Sequence, residues 1–262
     1  MFRKLSLLTS RVLSFCLVGV SVLASPPAIS KELKTLREQG RLTVAVKDNL
    51  RPLGFRGADG QLQGLEIEIA QRLAQELLGR TDGLVLKPVL NQDRLTVVLD
   101  GRADLAVARV TMTSVRSRVV AFSIPYYEDG TALVTKEPTL QSSLNLTNQT
   151  IAVLDNSDTI AVIRHRLPQA KLVGVASYQA ALELLERGEA IAFAADASVL
   201  SGWVQENPQY RLLTPNLSVE PLCIVLPKGL QYDELRRQIN IILTRWKAEG
   251  WLKQRAAYWG LP

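Results

Sequence analysis

The fold of this chain is decided by residues 108–116, which read ARVTMTSVR. They follow an apolar run, residues 104–108, that predicts a short buried strand. Thr113 stands where the N-cap of a helix is expected, so Arg116 falls in the first helical turn. Free backbone N–H groups and a guanidinium then lie together, and this combination attracts a carboxylate. Without further context, a solvated surface arginine is the more common outcome of such a pattern.

Size and charge limit the classes of protein to consider. The chain has 262 residues, of which 47% are hydrophobic, enough for one large domain or two lobes of roughly 100 residues each. The net charge is +6, and it falls to +3 without the three basic residues among the first 24. So small and evenly spread a charge gives no reason to expect nucleic acid as a partner.

The N-terminus has the order of a secretory signal peptide. Basic residues precede an apolar run, residues 12–24, which ends in a small-residue cleavage site at Ala24. The run is too short to cross a bilayer comfortably, so an uncleaved anchor is the less favoured alternative. We therefore expect residues 1–24 to direct the mature protein to the periplasm.

Cysteine and histidine content argues against a metal centre or a disulfide. Once the signal peptide is removed, Cys223 is the only cysteine in the sequence, and His165 is the only histidine. A disulfide within the chain is then excluded, and no metal site can be built from these two residue types. We expect no cofactor.

Two α/β series follow one another along the chain. The first alternates strands and helices up to residue 108, with a helical apolar face at Ile69, Leu73 and Leu77 and a helix over residues 94–99. The second repeats the alternation between residues 150 and 205, where Ser177 is the expected cap of a helix. A further strand, residues 222–226, and two C-terminal helices complete the pattern. The predicted architecture is α/β with two lobes, residues 31–132 plus 222–262 and residues 136–218. Strands near 131–135 and 222–226 would carry the chain between the lobes, leaving a cleft.

The order of motifs resembles a known family. The Thr-x-Thr-x-x-Arg pattern ending at Arg116, the tail of residues 121–127 (AFSIPYY) and the closing Trp259-Gly260 are similar to the polar-amino-acid family of periplasmic solute-binding proteins. This resemblance implies the type II periplasmic-binding-protein fold with two strand crossings. It also implies a monomer that binds a free amino acid and delivers it to the permease of an ABC transporter in the inner membrane.

The resemblance also implies roles for individual residues. Arg116 and Thr111 would hold the α-carboxylate of the ligand, and a backbone amide of Asp158 or Thr159 would complete that grip from the second lobe. The α-ammonium would be received by Asp196 and by the backbone carbonyl of Arg109, where relatives often have Gly or Ser. Read from the sequence alone, Asp196 is equally well explained as a helix N-cap.

Selectivity would come from Lys47, Leu50 and Leu65 if the resemblance holds at each position. Added cations at Lys47 and Arg109 disfavour a cationic ligand side chain, so an acidic or neutral polar amino acid is expected. Lys47 has an alternative explanation, which is to neutralise a neighbouring acid: Asp48, Glu66 or Asp155.

Two other classes of protein share this scaffold. One is a periplasmic enzyme such as a cyclohexadienyl-type dehydratase, in which Glu66 and Asp196 would form an acid and base pair. The other is the ligand-sensing lobe of a membrane receptor, which would need a transmembrane continuation. We expect a binding protein without catalytic residues.

Overall fold

The computed structural model describes residues 32–262, so the predicted signal peptide of residues 1–24 lies outside the described residues. Thirteen strands and eight α-helices alternate along this part of the chain. The strands are β1 Leu42–Val46, β2 Asn49–Leu50, β3 Gly54–Arg56, β4 Leu62–Gln63, β5 Leu84–Pro88, β6 Leu105–Val107, β7 Ala121–Asp129, β8 Thr131–Thr135, β9 Thr150–Leu154, β10 Lys171–Val175, β11 Ala192–Asp196, β12 Arg211–Leu213 and β13 Glu220–Leu226. The helices are α1 Leu33–Gln39, α2 Leu65–Leu78, α3 Thr96–Leu99, α4 Thr159–Arg166, α5 Tyr178–Glu186, α6 Ala197–Glu206, α7 Asp233–Ala248 and α8 Trp251–Tyr258.

The first sheet has the strand order β5-β1-β6-β13-β7. Strand β1 runs parallel to β5 and β6, whereas β13 runs antiparallel to β6 and β7. Helices α1, α2, α7 and α8 cover one face through a core that includes the fully buried Trp246. The apolar stripe of α2, expected from helical spacing, is buried in this core at Ile69, Leu73 and Leu77.

The second sheet has the strand order β10-β9-β11-β8-β12. Strands β9, β10 and β11 are parallel, and β8 runs antiparallel to β11 and β12. Separate apolar clusters lie on its two faces, as is usual for a sheet covered by helices on both sides. Helix α5 begins with the predicted cap, in which the Ser177 hydroxyl accepts a hydrogen bond from the Ala180 amide at 3.1 Å.

Two short crossings connect the sheets side by side. Strand β7 ends in the first sheet at Asp129 and β8 begins in the second at Thr131, so Gly130 is the first crossing. The second crossing, which leads from β12 back to β13, lies beside the first. The Leu217 amide donates to the Thr131 carbonyl at 2.7 Å, and the Thr131 amide donates to the Ser218 hydroxyl at 2.8 Å. A Cβ at Gly130 would lie 2.0 Å from the Ser218 carbonyl oxygen, so only glycine fits this close approach.

The two units also meet away from the crossings, along α6. A Cβ added to Gly202 would lie 2.3 Å from the Arg51 carbonyl oxygen, and the Gln205 side chain donates to the Trp259 carbonyl at 2.8 Å. Helix α6 of the second sheet therefore contacts the first unit through its backbone at Gly202 and through the Gln205 side chain. Among residues 32–262, no helix is long and apolar enough to cross a membrane.

The turn after β6 differs from the expected helix start. Arg116 begins a 3₁₀-helix of three residues, Arg116–Arg118, and not an α-helix. The chain enters β7 at Ala121, so no room remains for a longer helix. The proposed cap contact is nevertheless present, because the Arg116 amide donates to the Thr113 hydroxyl at 3.3 Å.

Candidate functional site

The segment after β6 holds an arginine in a backbone conformation that favours glycine. Arg109 has φ +49°, in the left-handed region. Its amide donates to a carboxylate oxygen of Glu66 at 2.6 Å, and this contact from the start of α2 fixes the turn. The strained conformation therefore directs the Arg109 side chain away from β6 toward the second sheet.

The Arg109 guanidinium lies between two carboxylates from different sheets. Its Nε is 3.3 Å from Asp129 Oδ2 and 3.3 Å from Ser198 Oγ, and its Nη2 forms an ion pair with Asp196. Only 18% of the Arg109 side chain is exposed. Asp196 ends β11 and Arg109 follows β6, so this contact brings the carboxyl ends of two parallel strands, one from each sheet, face to face.

Asp129 performs the capping that the sequence allowed for Asp196. Its Oδ1 accepts the Ser198 amide at 2.9 Å and its Oδ2 accepts the Ser198 hydroxyl at 2.5 Å, in the first turn of α6. Asp196 occupies the N-cap position but its side chain makes no capping hydrogen bond. The Asp196 carboxylate thus stays directed to the space between the sheets, with 29% of the side chain exposed.

The charge at Asp196 is only partly compensated. Burial raises the pKa of its carboxyl group, the Arg109 guanidinium acts in the opposite direction, and the nearby carboxylates of Asp129 and Asp158 raise it further. Burial raises the pKa of Glu220 as well, and the charges of Asp196 and Asp129 raise it further. Acidic groups therefore outnumber the single guanidinium at this place, which favours the arrival of another cation.

Arg116 lies seven residues after Arg109, in the same segment of residues 108–116 that follows β6. Its Nη1 donates to the Thr111 carbonyl at 2.8 Å, which fixes the guanidinium beside the residue expected to share its role. Within residues 32–262, no carboxylate lies within 4.0 Å of Arg116. A half-buried guanidinium that has no carboxylate partner can bind an anion.

Arg94 is a further cation of this site that the sequence analysis did not identify. Its Nε donates to the Asn91 carbonyl at 2.8 Å, and its Nη1 donates to the carbonyls of Ala108 at 3.2 Å and Arg109 at 2.5 Å. The Arg109 carbonyl, expected to accept the ligand ammonium, is therefore already bonded to Arg94. The only signal in the sequence was its position at the predicted start of the helix 94–99, where a surface charge is common.

Lys47 lies at the end of β1 and is 3% exposed. Its Nζ donates to the Val89 carbonyl at 2.7 Å. Burial lowers its pKa, and the charge of Arg94 lowers it further, whereas Asp48 and Glu66 act in the opposite direction. In the described part of the chain, none of the three acids considered as its partner forms an ion pair with it.

Two apolar residues were expected beside Lys47. Leu65 is 1% exposed within the core of the first sheet, and Leu50 is half-buried against the same core. Their contact with a ligand stays a prediction.

Glu66 is a buried carboxyl group behind the Arg109 turn. Its Oε1 accepts hydrogen bonds from the Arg109 amide and the Tyr126 hydroxyl, while its Oε2 has no hydrogen-bond partner. Burial raises its pKa, although the Tyr126 and Arg109 hydrogen bonds oppose the shift. The hydrogen bond from the Arg109 amide to Glu66 thus fixes the backbone of the segment after β6.

The start of helix α4, which packs on the second sheet, adds backbone N–H groups that can donate hydrogen bonds. Asp158 occupies its N-cap position without a side-chain cap, and Thr159 is buried at its first helical position. Among the described backbone hydrogen bonds, the amides of these two residues donate to no carbonyl. Free amides at a helix start are suited to a carboxylate.

Two α/β units, two side-by-side crossings and charged groups facing each other at the strand ends define a type II periplasmic-binding-protein fold. The model of the bacterial extracellular solute-binding proteins, family 3, matches residues 42–262. The chain therefore belongs to this family of bacterial extracellular solute-binding proteins.

Individual relatives agree with the family. The chain is 27% identical over 245 residues to the ABC transporter glutamine-binding protein GlnH of Bacillus subtilis (strain 168), covering 89% of each chain. It is 30% identical over 140 residues to the cyclohexadienyl dehydratase of Pseudomonas aeruginosa, which covers 53% of this chain and 49% of that one. Among solved structures, an ancestral cationic amino acid solute-binding protein matches with a TM-score of 0.74 at 24% identity, covering 87% of this chain and 99% of that one, and this likeness concerns the fold.

Proposed function

We propose that this chain is the substrate-binding component of an ABC-type amino-acid importer and that it binds a free L-amino acid between its two sheets. The relatives that match most of the chain include a transport protein for glutamine, which supports an amino acid as the ligand. Arg116, Thr111 and the amides at Asp158 and Thr159 hold the α-carboxylate, and Asp196 receives the α-ammonium.

The proposal depends on one observation: the Asp196 side chain does not cap helix α6. Because Asp129 satisfies the first turn of α6, the Asp196 carboxylate faces the cleft, where acids outnumber the single Arg109 guanidinium. A zwitterion needs both signs of charge held apart, and Arg116 supplies the other sign. The ligand ammonium shares Asp196 with Arg109.

The lobes follow the two sheets. Lobe 1 comprises residues 32–129 with 220–262 and lobe 2 comprises residues 131–217, which shifts the bounds expected from the sequence because all of β8 belongs to the second sheet and all of β13 to the first. The adjacent crossings at Gly130 and Ser218 serve as the hinge. Ligand contacts on both lobes give the closed form a higher affinity for the ligand, so binding shifts the equilibrium from open to closed. The inner-membrane permease recognises the closed monomer.

We infer a periplasmic location from the order of charges and apolar residues in residues 1–24. Membership of a family of extracellular solute-binding proteins supports this location. The same leader makes cleavage after Ala24 the expected maturation step.

A thermal-shift screen with the twenty amino acids tests the proposal. We expect one charge class, acidic or neutral polar, to stabilise the protein by several degrees, and we expect Arg116→Ala to abolish the shift. Arg118→Ala, an exposed neighbour in the same turn, is the matched control and should keep it. Absence of stabilisation by every amino acid in the wild-type protein would refute an amino-acid receptor.

An enzyme on the same scaffold is the second candidate, favoured by the partial similarity to the dehydratase and by the buried Glu66 carboxyl group with its raised pKa. Turnover of a cyclic acid without binding of amino acids would support it. Loss of that turnover in Glu66→Gln would identify the acid.

A further inference from the structure

The two groups expected to receive the ligand ammonium are both bonded to a cation of the chain itself. The Asp196 carboxylate forms an ion pair with Nη2 of Arg109. The backbone carbonyl of Arg109 accepts a hydrogen bond from Nη1 of Arg94 at 2.5 Å. A ligand ammonium can add to these contacts, but it is not needed to complete them.

Arg109 is held too firmly for a small ligand to displace it. Its amide donates to Glu66 at 2.6 Å, and its Nε lies 3.3 Å from both Asp129 Oδ2 and Ser198 Oγ. Only 18% of the Arg109 side chain is exposed, and the Asp129 side chain is fully buried. Moving the guanidinium away would leave Asp129 as a buried charge without its counterion, which is strongly unfavourable. Arg109 therefore stays in the site when a ligand binds.

The neighbouring carboxylates keep Arg109 in its cationic form. Burial by itself lowers the pKa of the guanidinium, but the charges of Asp196 and Asp129 act in the opposite direction, and the pKa lies above its ordinary value. The same guanidinium opposes the rise that burial causes in the pKa of Asp196. Asp196 thus has a permanent counterion that comes from the first sheet.

A permanent counterion changes how strongly the site distinguishes ligands. When a buried polar group of a protein is satisfied only by the ligand, an analogue that lacks the matching group is rejected by about 10⁴-fold, because the protein group is left unpaired. With Arg109 on Asp196, a ligand without an ammonium leaves no such unpaired charge. Only the direct gain from the ammonium is lost, which is roughly 10-fold in affinity for one charged hydrogen bond.

The carboxylate end of the site does not depend on the ammonium either. Arg116 is fixed by the hydrogen bond from its Nη1 to the Thr111 carbonyl at 2.8 Å, and no carboxylate of residues 32–262 lies within 4.0 Å of it. Lys47, which is 3% exposed, donates to the Val89 carbonyl at 2.7 Å and has no ion-pair partner in the described part of the chain. These cations favour an anion whose charge is not balanced by an ammonium of its own.

We propose that Arg109 acts in place of the ligand ammonium at Asp196, so that the site binds 2-hydroxy and 2-oxo carboxylic acids in addition to amino acids. The α-carboxylate goes to Arg116 in every case, and the oxygen on the second carbon of the acid accepts a hydrogen bond from the Arg109 guanidinium. The inference rests on the cleft and the carboxylate end of the proposed function, and it widens the substrate class of that site.

The test is isothermal titration calorimetry with three pairs of ligands in which a hydroxyl replaces the ammonium on the same carbon. The pairs are L-glutamate with L-2-hydroxyglutarate, L-glutamine with L-2-hydroxyglutaramate, and L-aspartate with L-malate. Where an amino acid binds, we expect the wild-type protein to bind its hydroxy acid within roughly 10-fold of the same affinity. A hydroxy acid weaker than its amino acid by more than about 100-fold would overturn the proposal and leave the amino-acid receptor standing.

Arg109→Gly removes the guanidinium at a position whose φ of +49° suits glycine. It should weaken binding of the hydroxy acid by roughly 10- to 100-fold and change binding of the amino acid by less than about 3-fold, because the ammonium then pairs with the freed Asp196. Equal weakening of both ligands would overturn the proposal in favour of a purely structural role for Arg109. Arg102→Gly is the matched control, because the exposed Arg102 side chain pairs with Asp100 at 3.0 Å, and it should leave every affinity unchanged.

Asp196→Asn gives a second test that keeps the buried pair of Arg109 with Asp129. It should weaken binding of the amino acid by less than about 10-fold and that of the hydroxy acid by less than about 3-fold. Loss of the amino acid by more than about 100-fold would show that the ammonium is the essential partner of Asp196, against the proposal.

The six ligands also separate this inference from the proposed function. Binding of a hydroxy acid without its amino acid, dependent on Arg109, would refute the amino-acid receptor and uphold Arg109 as the counterion of Asp196. Absence of binding by all six ligands would overturn both.

Discussion

Removing the charge of Asp129 tests the contact that links the two sheets. The Asp129 side chain is fully buried and accepts hydrogen bonds from the Ser198 amide, the Ser198 hydroxyl and Arg109 Nε, at 2.9, 2.5 and 3.3 Å. In Asp129→Asn, the amide oxygen can still accept the Ser198 amide. The amide nitrogen then faces Arg109, and two donors oppose each other.

The size of the effect follows from these contacts. Breaking a buried ion pair by changing one partner costs about 3–5 kcal/mol. Arg109 keeps Asp196 as a second partner, so the lower value applies and the free energy of unfolding should fall by about 3 kcal/mol. For a protein of this size, that corresponds to a melting temperature lower by about 6–12 °C. Asp129→Ala also removes the cap of α6 and should cost about 1 kcal/mol more.

Differential scanning calorimetry of the mature protein measures the shift directly. Glu128→Gln is the control, because Glu128 is the adjacent carboxylate and is exposed. We expect that variant to stay within about 0.5 kcal/mol of the wild type. If Asp129→Asn melts at the same temperature as the control, the ion pair between Asp129 and Arg109 does not stabilise the protein. If Asp129→Ala also matches the control, Asp129 does not cap α6, and the account of Asp196 given above is wrong.

Three further changes test other parts of the structure. Burial raises the pKa of Glu66 above 4.5, so the stability it contributes is complete below that pH and is lost as the pH rises through the folded-state pKa. Denaturation at several pH values should therefore show Glu66→Gln gaining stability relative to the wild type from about pH 4.5 toward neutrality, and a constant difference would contradict this. Gly202→Ala should weaken ligand binding about 10-fold by keeping the lobes apart at the Arg51 carbonyl, without unfolding α6, as measured by titration and circular dichroism. Trp246→Ala should lower the free energy of unfolding in denaturant by about 3–5 kcal/mol, since the side chain is fully buried in the first core.

Much of the fold could be predicted because it depends on short-range patterns. Apolar runs of four to six residues marked β1, β6, β9 and β11, and helical spacing marked α2. Caps and stops act within one turn, which is why Ser177 correctly located the start of α5. The family could be recognised from the order of such local motifs around Arg116, and the family model covers the same part of the chain.

The partners of the charged residues could not be predicted in the same way. Asp129 caps a helix 69 residues further along the chain, and Arg94 bonds to carbonyls 14 and 15 residues away. From the sequence, Asp196 fitted a cap and a ligand contact equally well, and Arg94 was only the first residue of a predicted helix. Residues adjacent in the sequence do not determine the role of either side chain.

The sequence by itself determined the alternation of strands and helices and the positions where polar residues leave the strand ends, because backbone geometry and apolar periodicity are local properties. Only the tertiary structure decided which charges meet: Arg109 reaches Asp129 and Asp196, while Lys47, Arg94 and Arg116 keep no acid partner in residues 32–262. Electrostatic pairing depends on distance in space and on burial, and both are fixed only when the two sheets come together.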